Sequence, residues 1–255
     1  MKTSRLKKAR ALISSNKAKA KPFDSLMITC EHGGNHIPAR YQKLFRGQSP
    51  LLSTHRGYDI GALNVARALA RRADAPLFYS TTSRLLIDLN RSLHHKAVYS
   101  EFTRELPDDE RAAICVHHYA PYRLNVEAWL RSQIRLGKKV LHVSVHSFTP
   151  KLDGEVRNAE IGLLYDPKRK PEAQLAAQLF KVTKPAAKAE GWRVRRNYPY
   201  HGASDGFTTH LRQLFDPTRY MGIEIEINQT VVEGRLGQGQ MALLIGQALA
   251  AASGQ

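Results

Sequence analysis

Residues 26–38 read LMITCEHGGNHIP, an apolar run that ends in an acid, two histidines and two glycines. The segment 26–29 has the length and composition of a short buried strand, so the polar side chains stand at a strand end. Apolar segments at 139–145 and 220–227 also end in polar side chains. Because ligands of parallel sheets bind outside the carboxyl ends of the strands, this arrangement predicts an α/β fold with a site at that edge.

Extended and helical patterns alternate along most of the chain. We predict strands at 26–29, 76–80, 85–89, 139–145, 161–165, 192–196 and 220–227. Apolar spacing predicts helices at 60–72, 108–115, 122–136, 172–189, 206–215 and 236–251. This alternation predicts a mostly parallel sheet with helices on both faces. Because neither a repeat nor a linker interrupts it, we expect one domain at 23–255 after a basic, flexible tail at 1–22.

The composition narrows the possible partners. The 255 residues are 42% hydrophobic, enough for a sizeable core. No apolar run approaches the roughly 20 residues of a membrane-spanning helix. Of the net charge of +17, residues 1–21 supply +8 and the remaining body +9. No nucleic-acid recognition motif accompanies this charge, so we expect a small acidic substrate rather than nucleic acid or a membrane.

Cysteine content and the N-terminus bear on the location of the protein. The chain has only two cysteines, Cys30 and Cys115, so no disulfide framework is indicated and a reduced, cytoplasmic setting fits best. The basic N-terminus lacks the apolar stretch of a secretory signal. Nothing in the sequence fixes the oligomeric state.

The loop at 30–38 is the first candidate site. Histidine and carboxylate side chains at a strand end can bind zinc or a similar divalent ion, and the glycines would let a ligand approach the backbone. His32, next to the strand, is the stronger ligand candidate, whereas His36 is a supporting group or an ordinary loop residue. The competing interpretation is a tight turn that carries polar surface groups.

Two further segments add candidate ligands. Asp59 precedes a predicted helix, so it is either the N-cap of that helix or, with suitable partners, a metal ligand. Alternation places His142, Ser144 and His146 on one face of their strand, where buried polar groups need partners. We interpret His142 as a hydrogen-bonded core histidine and His146, at the strand end, as a site residue.

The stretch SRLLIDLNR, at 83–91, places two arginines around an apolar run. A guanidinium group can bind a carboxylate through two hydrogen bonds, and Asn90 adds a donor and an acceptor beside Arg91. The competing interpretation is an internal ion pair, such as Arg91 with Asp88.

Two glutamates alternate with isoleucines in the predicted strand at 220–227. A carboxylate inside a sheet must be paired, protonated or bound to a metal. Glu226 lies nearer the strand end and is our candidate general base, with Glu224 hydrogen-bonded behind it; salt bridges to this basic chain are the alternative. The loop NYPYHG, at 197–202, either closes over a substrate or is an ordinary surface loop.

Six motifs follow one another along the chain: CEHGGNHIP, HRGYDIGA, SRLLIDLNRS, HVSVHS, NYPYHG and EIEINQ. In this order, between residues 26 and 230, they resemble the N-formylglutamate amidohydrolase family. That family is similar in fold to zinc carboxypeptidases and aspartoacylases, which implies a three-layer α/β/α sandwich around a mostly parallel mixed sheet. The resemblance also implies a zinc site, an activated water and hydrolysis of an amide in a small acidic substrate.

The resemblance assigns roles to individual residues. It implies that zinc or another divalent metal binds His32, Asp59 and His146. Distant relatives carry a glutamate three residues after the first histidine, whereas this chain has Asn35, so Glu31 is the reserve for the acidic ligand. The remaining roles fall to Glu226 as general base, Arg84 as the group that polarises the carbonyl, and the substrate-binding residues Asn90, Arg91, Tyr200 and His201.

The substrate that the resemblance implies is N-formyl-L-glutamate, cleaved to formate and L-glutamate. Formylglutamate hydrolases typically begin with a PHSG-like motif where this chain has CEHGG. The alternative is therefore an amidase or peptidase that acts on another acidic acyl amino acid or a cell-wall fragment. Two hypotheses from other classes are a nucleic-acid-binding protein that uses the basic tail and a scaffold of the same fold without a metal.

Overall fold

The computed structural model of the protein describes residues 21–253. This part of the chain contains eight strands: β1 (Ser25–Cys30), β2 (Leu77–Tyr79), β3 (Val140–Phe148), β4 (Lys151–Leu152), β5 (Glu155–Val156), β6 (Ile161–Leu164), β7 (Val194–Arg196) and β8 (Tyr220–Asn228). Six of them form one sheet in the order β2-β1-β3-β8-β6-β7, while β4 and β5 form a separate hairpin. β2, β1, β3 and β8 run parallel, and β6 is antiparallel to β8. The predicted mostly parallel, mixed sheet is confirmed.

Helices cover both faces of the sheet. They are α1 (Ser49–Leu52), α2 (Ala62–Ala73), α3 (Asp108–Ile114), α4 (Ala120–Arg135), α5 (Lys170–Ala189), α6 (Phe207–Leu214), α7 (Gln229–Val232) and α8 (Arg235–Ser253). A 3-10 helix spans Ala39–Phe45, and a π-helix at Cys115–Tyr119 joins α3 to α4. The larger core cluster packs α2, α5 and α8 on one face, and a second cluster packs α4 and α6 on the other. The fold is therefore a three-layer α/β/α sandwich.

The two faces of the central strands differ in polarity. On β3, Leu141, Val143 and Val145 pack into the core with α2, α5 and α8. The opposite face of β3 carries His142, Ser144 and His146, and the same alternation on β8 separates isoleucines from Glu224 and Glu226. Polar side chains are therefore brought together on one face of the sheet, toward the carboxyl ends of β3 and β8.

The predicted strand at 85–89 is wrong. These residues form turns, and their apolar side chains pack with the 3-10 helix, α3 and the π-helix in a third core cluster. A short apolar run indicates burial but does not distinguish a strand from a loop buried beneath other elements. The predicted tail at 1–22 lies almost entirely outside the described residues. Within residues 21–253, no helix combines the length and apolarity needed to cross a membrane.

Candidate active site

Three side chains meet at the carboxyl ends of β1 and β3. His32 follows β1, His146 lies near the end of β3, and Asp59 precedes α2. All three are buried, and their ligand atoms lie within 4.8 Å of one another. Asp59 Oδ2 is 2.7 Å from His146 Nδ1 and 3.5 Å from His32 Nδ1. The interpretation of Asp59 as a helix N-cap is wrong, because Gly61 occupies that position and no side chain caps the helix.

The second nitrogen of each histidine meets a carboxylate. His32 Nε2 is 2.7 Å from Asp88 Oδ1, and His146 Nε2 is 3.2 Å from Glu31 Oε2. When Nε2–H donates to such a carboxylate, the lone pair of Nδ1 is free to bind a cation. His32 Nδ1 is buried and has no hydrogen-bond partner. Two imidazole nitrogens and a carboxylate oxygen form a donor set that fits zinc or a similar divalent ion.

Glu31 lies behind this trio. Its carboxylate is fully buried and accepts hydrogen bonds from the Tyr122 hydroxyl at 2.9 Å and the Ser144 hydroxyl at 2.7 Å. It therefore contacts His146 on the side opposite Asp59. Because Glu31 and His32 are buried, the interpretation of this loop as a turn with polar surface groups is wrong.

Opposite charges compensate one another in this buried network. Burial raises the pKa of Asp59, but His32 and His146 more than offset this effect and hold the pKa below its ordinary value. Burial lowers the pKa of His146, yet its hydrogen bonds to Asp59 and Glu31 raise that pKa well above the usual range. Burial raises the pKa of Glu31, but the hydrogen bond and charge of His146, together with His142 and Ser144, hold that pKa below its ordinary value. The two carboxylates therefore remain ionised near neutral pH.

Glu226 lies near the carboxyl end of β8, at the cavity. It pairs across the sheet with His146 on β3 and with Gly162 on β6. Its Oε2 is buried and has no hydrogen-bond partner. Burial is the main cause that raises the pKa of Glu226 to about 7; the charge of His146 opposes the rise, and Asp59 and Glu224 add to it. A carboxyl group with such a pKa can accept and return a proton near neutral pH.

Arg84 bridges two carboxylates at the cavity wall. Its Nη2 and Nε donate to Asp88 Oδ2 at 2.7 and 3.2 Å, and its Nη1 donates to Asp59 Oδ1 at 3.4 Å. The proposed ion pair between Arg91 and Asp88 is wrong, because Asp88 is occupied by Arg84 and His32. Arg91 Nη1 instead donates to the Asp205 carbonyl oxygen at 3.0 Å.

Asn90 and Glu224 both contact the start of α6. Asn90 Oδ1 accepts a hydrogen bond from the Phe207 backbone N–H at 2.7 Å, and its Nδ2 lies 3.5 Å from His146 Nε2. Glu224 accepts a hydrogen bond from the Thr208 hydroxyl, so the expected bond to Glu226 is not formed. Residues two apart on a strand are separated by nearly 7 Å, and Thr208 is the nearer partner.

The loop at 197–202 lies over β6. Asn197 Oδ1 accepts hydrogen bonds from the Tyr165 and Gly202 backbone N–H groups at 3.0 and 3.2 Å. A Cβ atom on Gly162 would lie 1.9 Å from the Tyr198 carbonyl oxygen, so a glycine at this position lets the loop approach the strand. This packing places the following residues of the loop at the edge of the site.

A cavity of about 290 Å³ is lined by His32, Asp59, His146 and Glu226. Ten residues singled out from the sequence line it: His32, Asp59, Arg84, Asn90, Arg91, His146, Tyr200, His201, Glu224 and Glu226. Glu31 does not line it, and the side chain of His36 is exposed on another part of the surface. The sequence therefore identified residues that come together in one cavity.

Residues 24–232 match the family model of N-formylglutamate amidohydrolase. The chain belongs to this family. It is accordingly a hydrolase of the amidohydrolase type, and its candidate active site is the cavity that contains His32, Asp59, His146 and Glu226.

Two solved structures are similar to this amidohydrolase over most of its length. A gene product of Agrobacterium tumefaciens is 31% identical, with a TM-score of 0.74, and the match covers 89% of this chain and 91% of that one. An N-formylglutamate amidohydrolase from Ralstonia eutropha is 20% identical, with a TM-score of 0.62, and the match covers 92% and 94%. At 20% identity the second likeness shows the fold alone. The comparison with curated proteins gave no match.

Three site residues of the amidohydrolase had no assigned role in the sequence analysis. Asp88 binds His32, whereas Tyr122 and Ser144 bind Glu31. The signal in the sequence was the position of Asp88 inside the apolar run 85–89, because a buried acid needs a partner. The partner itself lies 56 positions away and cannot be read from local spacing.

The glycines of the first motif serve the backbone of the amidohydrolase. A Cβ atom on Gly33 would lie 2.8 Å from the Ser80 carbonyl oxygen, and one on Gly34 would lie 2.7 Å from that of Thr81. The interpretation that these glycines make room for a ligand is therefore wrong. They allow the loop to pack against the segment that follows β2.

Proposed function

We propose that this protein is a zinc-dependent amidohydrolase that converts N-formyl-L-glutamate and water to formate and L-glutamate. The observation that supports this proposal best is the arrangement of His32 and His146 around Asp59. Each histidine directs Nδ1 toward Asp59 while a carboxylate holds its Nε2. This arrangement lies in one cavity with Glu226, whose pKa is raised by burial.

His32, Asp59 and His146 are the proposed metal ligands, and Glu31 is a positioning group rather than the acidic ligand. Zinc, when bound, lowers the pKa of a water molecule toward about 7 and polarises the substrate carbonyl. Asp88 and Glu31 hold the two imidazole rings in the orientation that exposes Nδ1. Such outer carboxylates contribute to metal affinity by fixing the tautomer and the ring position.

Glu226 and Arg84 carry the proton and charge steps of the proposed reaction. Glu226 accepts a proton from the attacking water, whose oxygen bonds to the formyl carbon. Arg84 donates a hydrogen bond to the carbonyl oxygen as negative charge develops on it. Glu226 then returns the proton to the amide nitrogen, the C–N bond breaks, and formate and the amine of glutamate separate.

Polar side chains of the cavity lining are proposed to orient the substrate. Arg91 uses one guanidinium nitrogen for the Asp205 carbonyl, which leaves other N–H groups for a substrate carboxylate. Asn90 Nδ2, Tyr200 and His201 supply further donors around the same cavity. These groups favour a small acidic acyl amino acid over a neutral one.

A turnover assay with matched metal analysis tests this function. Zinc-loaded protein is expected to release formate from N-formyl-L-glutamate, and removal of zinc with a chelator is expected to abolish release until zinc is restored. Full activity in a metal-free His32→Ala/His146→Ala protein would contradict the mechanism. Activity only on another acyl amino acid or on a cell-wall fragment would retain the metal site and change the substrate.

We also propose that residues 23–255 are the catalytic domain. A chain without residues 1–22 is then expected to retain the kcat and KM of the full protein. The nucleic-acid alternative requires salt-sensitive binding that disappears with residues 1–22. Measuring both properties on the two chains distinguishes these hypotheses.

A further inference from the structure

Two tyrosines tie the loop at 197–202 to the segment after the β4–β5 hairpin. The Asn158 backbone N–H donates to the Tyr198 hydroxyl oxygen at 2.7 Å. Arg157 Nη1 donates to the Tyr200 hydroxyl oxygen at 3.0 Å, and the guanidinium carbon lies 4.9 Å from the centre of the Tyr200 ring. The same carbon is 5.8 Å from the ring centre of Phe148, so Arg157 is held between two aromatic side chains.

Arg157 has no carboxylate partner among residues 21–253. Arg84, by contrast, shares its charge with Asp88 and Asp59. A half-buried guanidinium that is fixed by aromatic rings and lacks a counterion retains donors for an anion. Arg157 therefore carries a charge that no carboxylate of residues 21–253 neutralises, and it lies beside Tyr200, which lines the cavity.

The Tyr200 hydroxyl has a free proton. Its oxygen accepts the hydrogen bond from Arg157, so the O–H bond points away from the guanidinium, and no acceptor for it exists within the described part of the chain. Tyr200 lines the same cavity as Glu226 and Arg91. The phenol can therefore donate to a ligand in that cavity while Arg157 supplies the charge behind it.

We infer that Arg157 and Tyr200 recognise the side-chain carboxylate of the substrate and thereby select dicarboxylic acyl amino acids. This inference rests on the proposed function, because N-formylglutamate carries two carboxylates. Arg91, held by Asp205 on the cavity wall, is available for the other carboxylate. A substrate with an uncharged side chain would leave Arg157 without an anion, which lowers its binding energy.

The first test compares N-formyl-L-glutamate with N-formyl-L-glutamine, which has an amide in place of the side-chain carboxylate. Arg157→Gln is expected to lower kcat/KM for the glutamate substrate by roughly 10- to 100-fold, mainly through KM, because the substrate carboxylate loses the positive charge behind Tyr200. The glutamine substrate is expected to change by less than about threefold. An equal loss for both substrates would assign Arg157 a purely structural role and overturn the inference.

Tyr200→Phe and Arg195→Gln sharpen this comparison. Tyr200→Phe is expected to reduce the preference for N-formyl-L-glutamate over N-formyl-L-glutamine. Adding Arg157→Gln to Tyr200→Phe is expected to reduce this preference by a smaller factor than Arg157→Gln does in the wild type, because the two side chains act together. Arg195→Gln is the matched control, since Arg195 lies against the Tyr198 ring at 4.1 Å rather than Tyr200. The Arg195→Gln variant should have the same substrate preference as the wild type.

A binding experiment separates failure of this inference from failure of the proposed function. Calorimetry with glutarate, a dicarboxylate, and butyrate, its monocarboxylate counterpart, requires no turnover. Wild-type protein is expected to bind glutarate more tightly, and Arg157→Gln is expected to lose about tenfold in affinity for glutarate alone. Arg157-dependent glutarate binding without formylglutamate turnover would refute the substrate and retain the carboxylate site. Equal binding of glutarate by both proteins would overturn the site.

Discussion

Asp59 Oδ2 lies 2.7 Å from Nδ1 of His146, on the side of the ring opposite Glu31. This relationship distinguishes Asp59 from Glu31, the two acids that the sequence offers as the acidic ligand. Asp59 lines the cavity, whereas Glu31 is enclosed by Tyr122 and Ser144. The geometry favours Asp59 as the acidic ligand and Glu31 as the group that orients His146.

Zinc affinity is expected to distinguish the two acids. Asp59→Ala removes a proposed ligand and should weaken zinc binding more than Glu31→Gln. Glu31→Gln retains the size of the side chain and should weaken zinc binding by about 10- to 100-fold, as is typical of outer carboxylates. Competition with a chromogenic chelator measures both affinities. The reverse order would make Glu31 the ligand.

Glu226→Gln is expected to abolish most turnover without removing the metal. The amide retains the shape of the side chain but cannot accept a proton, so kcat should fall by roughly 10²- to 10⁴-fold. Zinc content should remain that of the wild type. Glu224→Gln provides the comparison, because it changes the same residue type on the same strand face and should have a smaller effect on kcat. Similar losses in both variants would argue against Glu226 as the base.

Arg123 is expected to stabilise the backbone segment that follows Asp88. It is buried and donates to the carbonyl oxygens of Leu89 and Arg91 at 3.2 and 3.1 Å, while Phe207 covers its guanidinium at 4.4 Å. Arg123→Met should lower the free energy of unfolding by about 2–4 kcal/mol, because the buried Leu89 carbonyl loses its charged donor and the Arg91 carbonyl keeps only the Tyr119 hydroxyl. Urea unfolding measures the change.

The same substitution should also affect the metal site. The segment that Arg123 binds directly follows Asp88, and Asp88 orients His32. Arg123→Met is therefore expected to weaken zinc binding in the folded protein. Tyr119→Phe offers a milder version, since it removes only the 2.7 Å hydrogen bond to the Arg91 carbonyl. Unchanged zinc affinity in Arg123→Met, despite lower stability, would show that Arg123 serves the core alone.

The sequence predicts the sheet well because alternation and apolar runs are local signals. On β3 and β8 the period of two identifies both the buried face and the polar face, and the polar residues lie where strand ends meet. His32, His146 and Glu226 could therefore be assigned to one site before their contacts were known.

The partners of those residues depend on long-range packing and are not encoded in local spacing. Asp88 contacts His32 from a loop that was predicted to be a strand because its neighbouring residues are apolar. Asp59 precedes a helix, where an N-cap role was equally consistent with the sequence. Only the close approach of the loops at the sheet edge identifies which acid faces which nitrogen.

His142 makes stability depend on pH in a predictable direction. Its ring lies between the Thr29 hydroxyl at 2.7 Å and the Tyr220 hydroxyl at 2.8 Å, which confirms the interpretation as a hydrogen-bonded core histidine. Burial lowers the pKa of His142 to about 4. In the unfolded chain the pKa of histidine is about 6.5, so the unfolded state binds more protons between these values.

The contribution of His142 to stability is therefore complete above pH of about 6.5 and is lost as the pH falls toward about 4, by at most about 3 kcal/mol. Urea unfolding of metal-free protein between these limits is expected to show a steeper loss in the wild type than in His142→Gln. Carboxylates with lowered pKa values contribute equally to the unfolding free energy of the wild type and of His142→Gln. Their contribution therefore cancels when the two proteins are compared. A difference in unfolding free energy that stays constant with pH would mean that the His142 ring is protonated within the folded core.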